Sequence, residues 1–157
     1  MNDNTIKEYT RRISSGNRSE IIVCVFDIGE IYMNEACECF ENGDEDDFRT
    51  GILKASKCIN DLLESINYEY ELAFPLMRIY MFMNKELSVA SATNDVETVR
   101  KINALFVKMK ESFLEVAKQD TSAPVMQNTQ PVFAGLTYGR NSLNESLAGD
   151  QNRGFKV

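Results

Sequence analysis

Residues 21–40 read Ile-Ile-Val-Cys-Val-Phe-Asp-Ile-Gly-Glu-Ile-Tyr-Met-Asn-Glu-Ala-Cys-Glu-Cys-Phe, and the fold follows from this stretch. Ile22, Val25, Gly29, Tyr32, Ala36 and Cys39 recur at alternating steps of three and four. That spacing sets residues along one side of a helix. A second apolar line, Ile21, Cys24, Ile28 and Ile31, runs beside the first. One stripe suffices for a helix that faces water, so a helix with two is expected to be central and packed on two sides. Gly29 inside it costs about 1 kcal/mol relative to alanine, and the expected reason is close approach of another backbone. Asp27 lies in the same apolar run and needs either a partner or an outlet to water.

Upstream, Asn17 and Glu20 have capping-box spacing, with the Asn17 side chain accepting from a free N–H while Glu20 reaches back. The helix is expected to start there and to stop near Asn42-Gly43. Before it, Ile6, Tyr9, Thr10 and Ile13 make a short amphipathic piece ended by Ser14-Ser15-Gly16. Such a piece is too short to be stable alone, and is expected to pack loosely or move.

Downstream, Phe48, Ile52, Ala55, Ile59, Leu62 and Ile66 step at helical spacing, with Gly51 as a slight weakness. The acidic run Asp44 to Asp47 suits the positive end of that helix. Pro75 fits the first turn of the next helix, which reads Leu76, Ile79, Tyr80, Met83, Leu87 and Ala90, with Met77, Met81 and Phe82 widening the apolar surface. Thr93-Asn94-Asp95 supplies a cap, with Glu97 completing a second Asn-x-x-Glu. The last helix then carries Val99, Ile102, Phe106, Met109, Phe113 and Val116 and ends near Lys118-Gln119. The expected fold is all-α: an antiparallel up-down four-helix bundle with a short extra N-terminal helix.

From Thr121 the composition turns rich in Asn, Gln, Ser and Gly without helical periodicity. The expected division is a helical domain over residues 1–120 and a flexible tail over 121–157, since the tail buries too little apolar surface to order itself. Within it, Phe133, Leu136, Tyr138 and Leu143 cluster about Gly135 and Gly139. Three readings of Val132 to Leu143 stand side by side: a docking motif or strap over the bundle, an internal occupant of its groove, or a passive tail.

Composition narrows function. A net charge of -7 with no Lys/Arg cluster argues against nucleic-acid binding. The longest apolar run, Ile21 to Phe26, falls far short of the roughly 20 residues that span a bilayer. The N-terminus has no apolar signal core. A cytoplasmic protein without stable membrane insertion is expected. Cys24, Cys37, Cys39 and Cys58 form no CxxC pair and are expected to be reduced thiols. There is no histidine, the commonest base and metal ligand near neutral pH. Phosphate loops, nucleophile elbows and zinc spacings are missing from the sequence, so neither catalysis nor a cofactor or metal is expected. Five methionines, Met33, Met77, Met81, Met83 and Met109, are many for a small core. They read either as gap fillers or as a surface for helical or flexible partners.

The helices resemble the FliS family of flagellar export chaperones. That family carries a Leu-Ile-x-x-Leu-Tyr-Asp-Gly-Ala signature, to which Ile21 through Gly29 is similar, with Asp27 kept. Leu76, Tyr80, Phe82, Leu87, Ala90 and Ser91 are similar to a second signature, Tyr9 to an N-terminal tyrosine, and Phe113 to a late aromatic that is usually tryptophan. The resemblance spans about residues 5–118. The departures are Phe26 for tyrosine, Ile28-Gly29 for Gly-Ala, Ser91 for asparagine and Phe113 for tryptophan.

The resemblance implies a cytoplasmic chaperone that binds the C-terminal segment of new flagellin in a hydrophobic groove, blocks its premature polymerisation, and hands it to the flagellar export gate. It implies partner-binding roles for Ile22, Val25, Phe26, Gly29, Ile79, Tyr80, Met83, Leu87 and Ala90, by contact or by shaping the groove, with Tyr9 as a displaceable cover. Sequence does not separate groove from core among these. The competing reading is a regulatory or scaffold bundle that self-associates through the same apolar surface.

Overall fold

The structure, a computed structural model, describes residues 1–126. Val132 to Leu143, and with it every reading of that segment, lies outside the described residues. Among the described residues the elements are five helices and no strand: α1 (Asp3–Ser15), α2 (Arg18–Glu41), α3 (Glu45–Glu64), α4 (Ala73–Thr93) and α5 (Val96–Gln119).

The helix ends follow local chemistry. Asn17 caps α2 by accepting from the Glu20 N–H, while the Glu20 carboxylate accepts from the Asn17 N–H, a complete capping box. Gly43 at φ +80° turns the chain into α3, a conformation that costs glycine least. Asp44 then caps α3. Pro75 sits in the first turn of α4. At the α4–α5 junction the expected Asn94–Glu97 box does not form. Asn94 instead ends α4 in the left-handed conformation, and Asp95 caps α5 by accepting from the Thr98 N–H. Asparagine tolerates that backbone region better than most residues, which leaves the adjacent aspartate to do the capping.

α2 packs against both α3 and α5, α4 packs against α3 and α5, and α1 packs on α2. α2 thus packs on two sides, as expected, but its buried face runs through Val23, Phe26 and Met33, which belong to neither expected line, while Ile21, Ile28 and Ile31 stay half-buried. Cross-links pin the register: Asn94 near the end of α4 bonds Glu45 and Arg49 at the start of α3, and Arg100 at the start of α5 pairs with Glu41 at the end of α2. The α5 end returns to the α2 start, where Asp120 accepts from Asn17 and Ser19.

The core is built on Phe26, Met33, Phe48, Ile59, Met83 and Phe106, all fully buried. The Phe26 ring lies 4.7 Å from Phe106 and 5.2 Å from Phe113, centroid to centroid. Gly29 admits a ring and not a backbone: a Cβ there would stand 2.7 Å from the Phe106 ring and 3.3 Å from Cys58 Cβ. The close helix–helix approach occurs at Gly51, whose hypothetical Cβ would meet Ala36 Cβ at 2.7 Å and Tyr32 O at 3.2 Å. The four cysteines are free thiols, and burial raises the Cys58 thiol to about 11. Of the methionines, Met33 and Met83 fill the core while Met81 faces water.

Candidate functional site

The bundle is left open at one end. The start of α2, the end of α3, the start of α4 and the end of α5 converge there around a cavity of about 620 Å³, within the size range of ligand pockets. Ile22, Leu62, Ile66, Leu76, Phe113 and Val116 supply apolar wall, and Tyr80 closes the floor. The connection 65–72 forms the rim with Asn67, Tyr70, Glu71 and Leu72. It does so because it cannot stay helical: Asn67 Oδ1 accepts from the Glu69 N–H in a local turn, and successive turns carry the chain to Ala73. Arg18 also stands at the lip, with its guanidinium donating to the Ser65 carbonyl at 2.8 Å.

Tyr80 is 2% exposed, and burial alone drives its phenol pKa far above the usual tyrosine range. Its ring is tilted 50° to that of Phe26, with the centroids 6.5 Å apart. Among the described residues no group bonds its hydroxyl, although it borders the cavity.

Outside the cavity, the turn before α4 and the outer face of α4 present Tyr70, Leu72, Phe74, Met81, Phe82 and Val89, each at least half exposed. So much uncovered apolar surface on one helix marks an interaction face.

The residues singled out from sequence separate into distinct places. Ile22 and Tyr80 line the cavity. Ile79 lies on the exposed face of α4, and Val25 is half-buried against the core. Phe26, Met83, Leu87 and Ala90 are wholly inside, and Gly29 is buried beneath Phe106. Tyr9 is half-buried on α1, with the Arg12 guanidinium 5.0 Å from its ring. No residue of α1 lines the cavity.

α1 is held by charge more than by burial. None of its residues is fully buried. Arg12 Nη1 donates to Asp27 Oδ2 at 3.1 Å, and Lys110 Nζ donates to the other Asp27 oxygen at 3.2 Å and to Glu30 at 2.5 Å. Asp27 thus has the partners its apolar setting demands. Burial raises the Tyr9 phenol, and the nearby Asp27 charge raises it further. A second, smaller cavity of about 320 Å³ separates α1 from α2 and α5, bounded by Arg12, Ser15, Val23 and Leu114.

Sequence reasoning missed Leu72, Tyr70 and Arg18 as parts of a site. The signal for Tyr70 and Leu72 was the aperiodic run Tyr68-Glu69-Tyr70-Glu71-Leu72, which carries three large apolar or aromatic side chains in a connection; Arg18 had none. Among the described residues no group of three or more Cys, Asp or Glu is placed to hold a metal ion. No helix among them is long and apolar enough to cross a membrane.

The family model described as "FliS: Flagellar protein FliS" matches residues 1–120, well over half of the chain. No curated protein matches it.

Proposed function

The chain belongs to the FliS family of flagellar proteins, a family of flagellar export chaperones, and from that membership we propose that it binds the C-terminal segment of flagellin. In this reading it acts in the cytoplasm, keeps that segment from polymerising early, and passes it to the flagellar export gate. The domain that does so is residues 1–120, an antiparallel up-down four-helix bundle, and residues 121–157 are an appended tail.

The observation that carries the reading is the apolar cavity of about 620 Å³ at the end of the bundle, next to an α4 whose outer face carries a separate exposed apolar row. One client segment would seat one or two large side chains in the cavity, and a further amphipathic client helix would bury its apolar face at the row. Ile22, Tyr80 and Ile79 make direct contact. Val25, Phe26, Gly29, Met83, Leu87 and Ala90 hold the walls in shape from within. α1, with Tyr9, is a displaceable cover for the α2–α5 side, where few apolar contacts and a half-exposed ion pair leave it easy to lift.

Titration calorimetry with the C-terminal segment of the same organism's flagellin tests this. Folding coupled to binding gives a saturable 1:1 isotherm with negative heat-capacity change. Leu72→Glu, at an exposed position of the cavity rim, should weaken it at least tenfold without loss of helicity. No heat at several temperatures would refute the client. A concentration-dependent homo-oligomer in place of the complex would favour the scaffold reading, since the same α4 row also suits a second copy.

A further inference from the structure

The exposed row of α4 carries a charge pattern of its own. Phe74, Arg78, Met81 with Phe82, Lys85 and Val89 follow one another at steps of three and four, the spacing of a single helix face. All of them are exposed. The chain as a whole bears a net charge of -7, yet the two charges in this row, Arg78 and Lys85, are both positive. Neither has a carboxylate within reach along the helix. Three and four residues from Arg78 stand Phe74, Pro75, Met81 and Phe82, and from Lys85 stand Met81, Phe82, Ser88 and Val89. Among the described residues neither forms a salt bridge with another helix. Beside the row, α3 and α4 leave a groove of about 550 Å³ whose α4 wall includes Ser88 and Ala92. These lie three residues past Lys85 and Val89, so the groove borders the row. Leu53 stands exposed on its α3 wall.

We propose that this face seats an amphipathic partner helix whose apolar seam is flanked by two carboxylates seven residues apart, one for Arg78 and one for Lys85. The occupant is argued from charge complementarity. Unpaired cations set among exposed apolar side chains, in a chain that is otherwise acidic, match a partner that is apolar and acidic at the same places. Seven residues are two turns, about 10 Å along either helix, and helices crossing at about 20° keep such pairs in register. Phe74, Met81, Phe82 and Val89 cover the partner's seam, and Ser88 and Ala92 are small enough for it to lie close. Exposed ion pairs add little affinity, so the two cations choose the partner and its register while the apolar contacts hold it. The proposal rests on the reading of the α4 row as a client seat, and within flagellin it singles out a helix with that acidic spacing.

The test titrates the full chain with two synthetic helical peptides that share one leucine seam. They differ only in carrying Glu or Lys at two seam-flanking positions seven residues apart. The Glu peptide should bind 1:1 and at least about fivefold tighter than the Lys peptide, with a preference that shrinks as salt rises. Arg78→Glu with Lys85→Glu should invert the order, and Phe82→Ser should weaken both peptides. Lys101→Glu with Lys108→Glu, at two exposed positions of α5, changes the net charge equally and should leave the order as it was. No saturable binding, no preference, or an order inverted equally by the α5 pair would overturn the proposal. Binding to vesicles of equal phosphatidylglycerol and phosphatidylcholine that the α4 pair abolishes would also overturn it, assigning the row to a membrane surface. The C-terminal segment of flagellin, titrated in parallel, separates this proposal from the reading it rests on. An inverted peptide order with no heat from flagellin upholds the acidic-helix seat and refutes the client. Flagellin bound without any peptide preference keeps the client and removes the seat.

Discussion

Gly51 of α3 stands against Ala36 of α2 so closely that a Cβ on Gly51 would lie 2.7 Å from the Ala36 Cβ and 3.1 Å from its Cα. Backbone sits behind that contact, so the neighbour has little room to give. α2 and α3 therefore share an interface set by the smallness of two residues, and the register of the bundle's most intimate helix pair is fixed there.

Gly51→Val places two further carbons in that contact and should destabilise the fold by about 1–3 kcal/mol, despite glycine's poor helix propensity. Urea unfolding would read it as a lower midpoint at unchanged slope. An equal or higher midpoint would mean the helices part freely.

Ala90→Glu should unfold the bundle. Ala90 is fully buried in the core, and a carboxylate there has no water and no partner. Circular dichroism should show lost helicity for Ala90→Glu and native helicity for Val89→Glu, one residue along the same helix and half exposed. If both variants stay helical, Ala90 belongs to an accessible groove.

Phe106→Ala and Phe113→Ala should differ. Phe106 is fully buried against Phe26 and Gly29, so its truncation costs about 3–5 kcal/mol. Phe113 is half-buried at the cavity wall and should cost clearly less while weakening client binding. Equal losses in thermal unfolding would place Phe113 in the core proper.

Lys110→Met should loosen α5 from α2. It leaves Glu30 without its cation and Asp27 with Arg12 alone. These groups are half-buried, so the cost should fall between the exposed and buried limits, about 1–3 kcal/mol. Adding Glu30→Gln should return part of it. A strictly additive double mutant would show that the pair does not interact.

Asp120 should titrate well below other carboxylates. Hydrogen bonds from Ser122 and Ser19 lower it to about 2, against about 3.9 for a free aspartate. The folded-state pKa is the lower one, so its contribution is complete above about pH 4 and fades as pH falls toward about 2. Ser19→Ala should raise the Asp120 pKa, as carboxyl-carbon chemical shifts would record. An unshifted titration in the parent would deny the α5–α2 clasp.

Much of the architecture was legible because helices declare themselves locally. Asn17 and Glu20 specify a cap within four residues, Phe48 through Ile66 specify a face by period, and Pro75 marks a first turn. The junction of α4 and α5 was misread because Asn94 and Asp95 both cap well, and the choice between them depends on which residue the turn forces into the left-handed region. The two glycines were ranked in the wrong order for a similar reason. Gly29 and Gly51 look alike in sequence, but one meets a ring and the other a neighbouring helix.

By itself the sequence determined that this chain is helical, where the helices begin and end to within a few residues, and which stripe of α3 turns inward, since periodicity and capping act over a few residues; in α2 the two apolar lines passed over Phe26 and Met33, which are core. Tertiary structure alone decided that Ala90 and Met83 are core while Tyr80 floors a cavity, that Arg12 and Lys110 converge on Asp27, and that residues 65–72 form a rim. Those outcomes depend on which helices become neighbours, and contacts between residues far apart in the chain carry no local signature. An apolar side chain reads the same in sequence whether it faces a packed helix or an open groove.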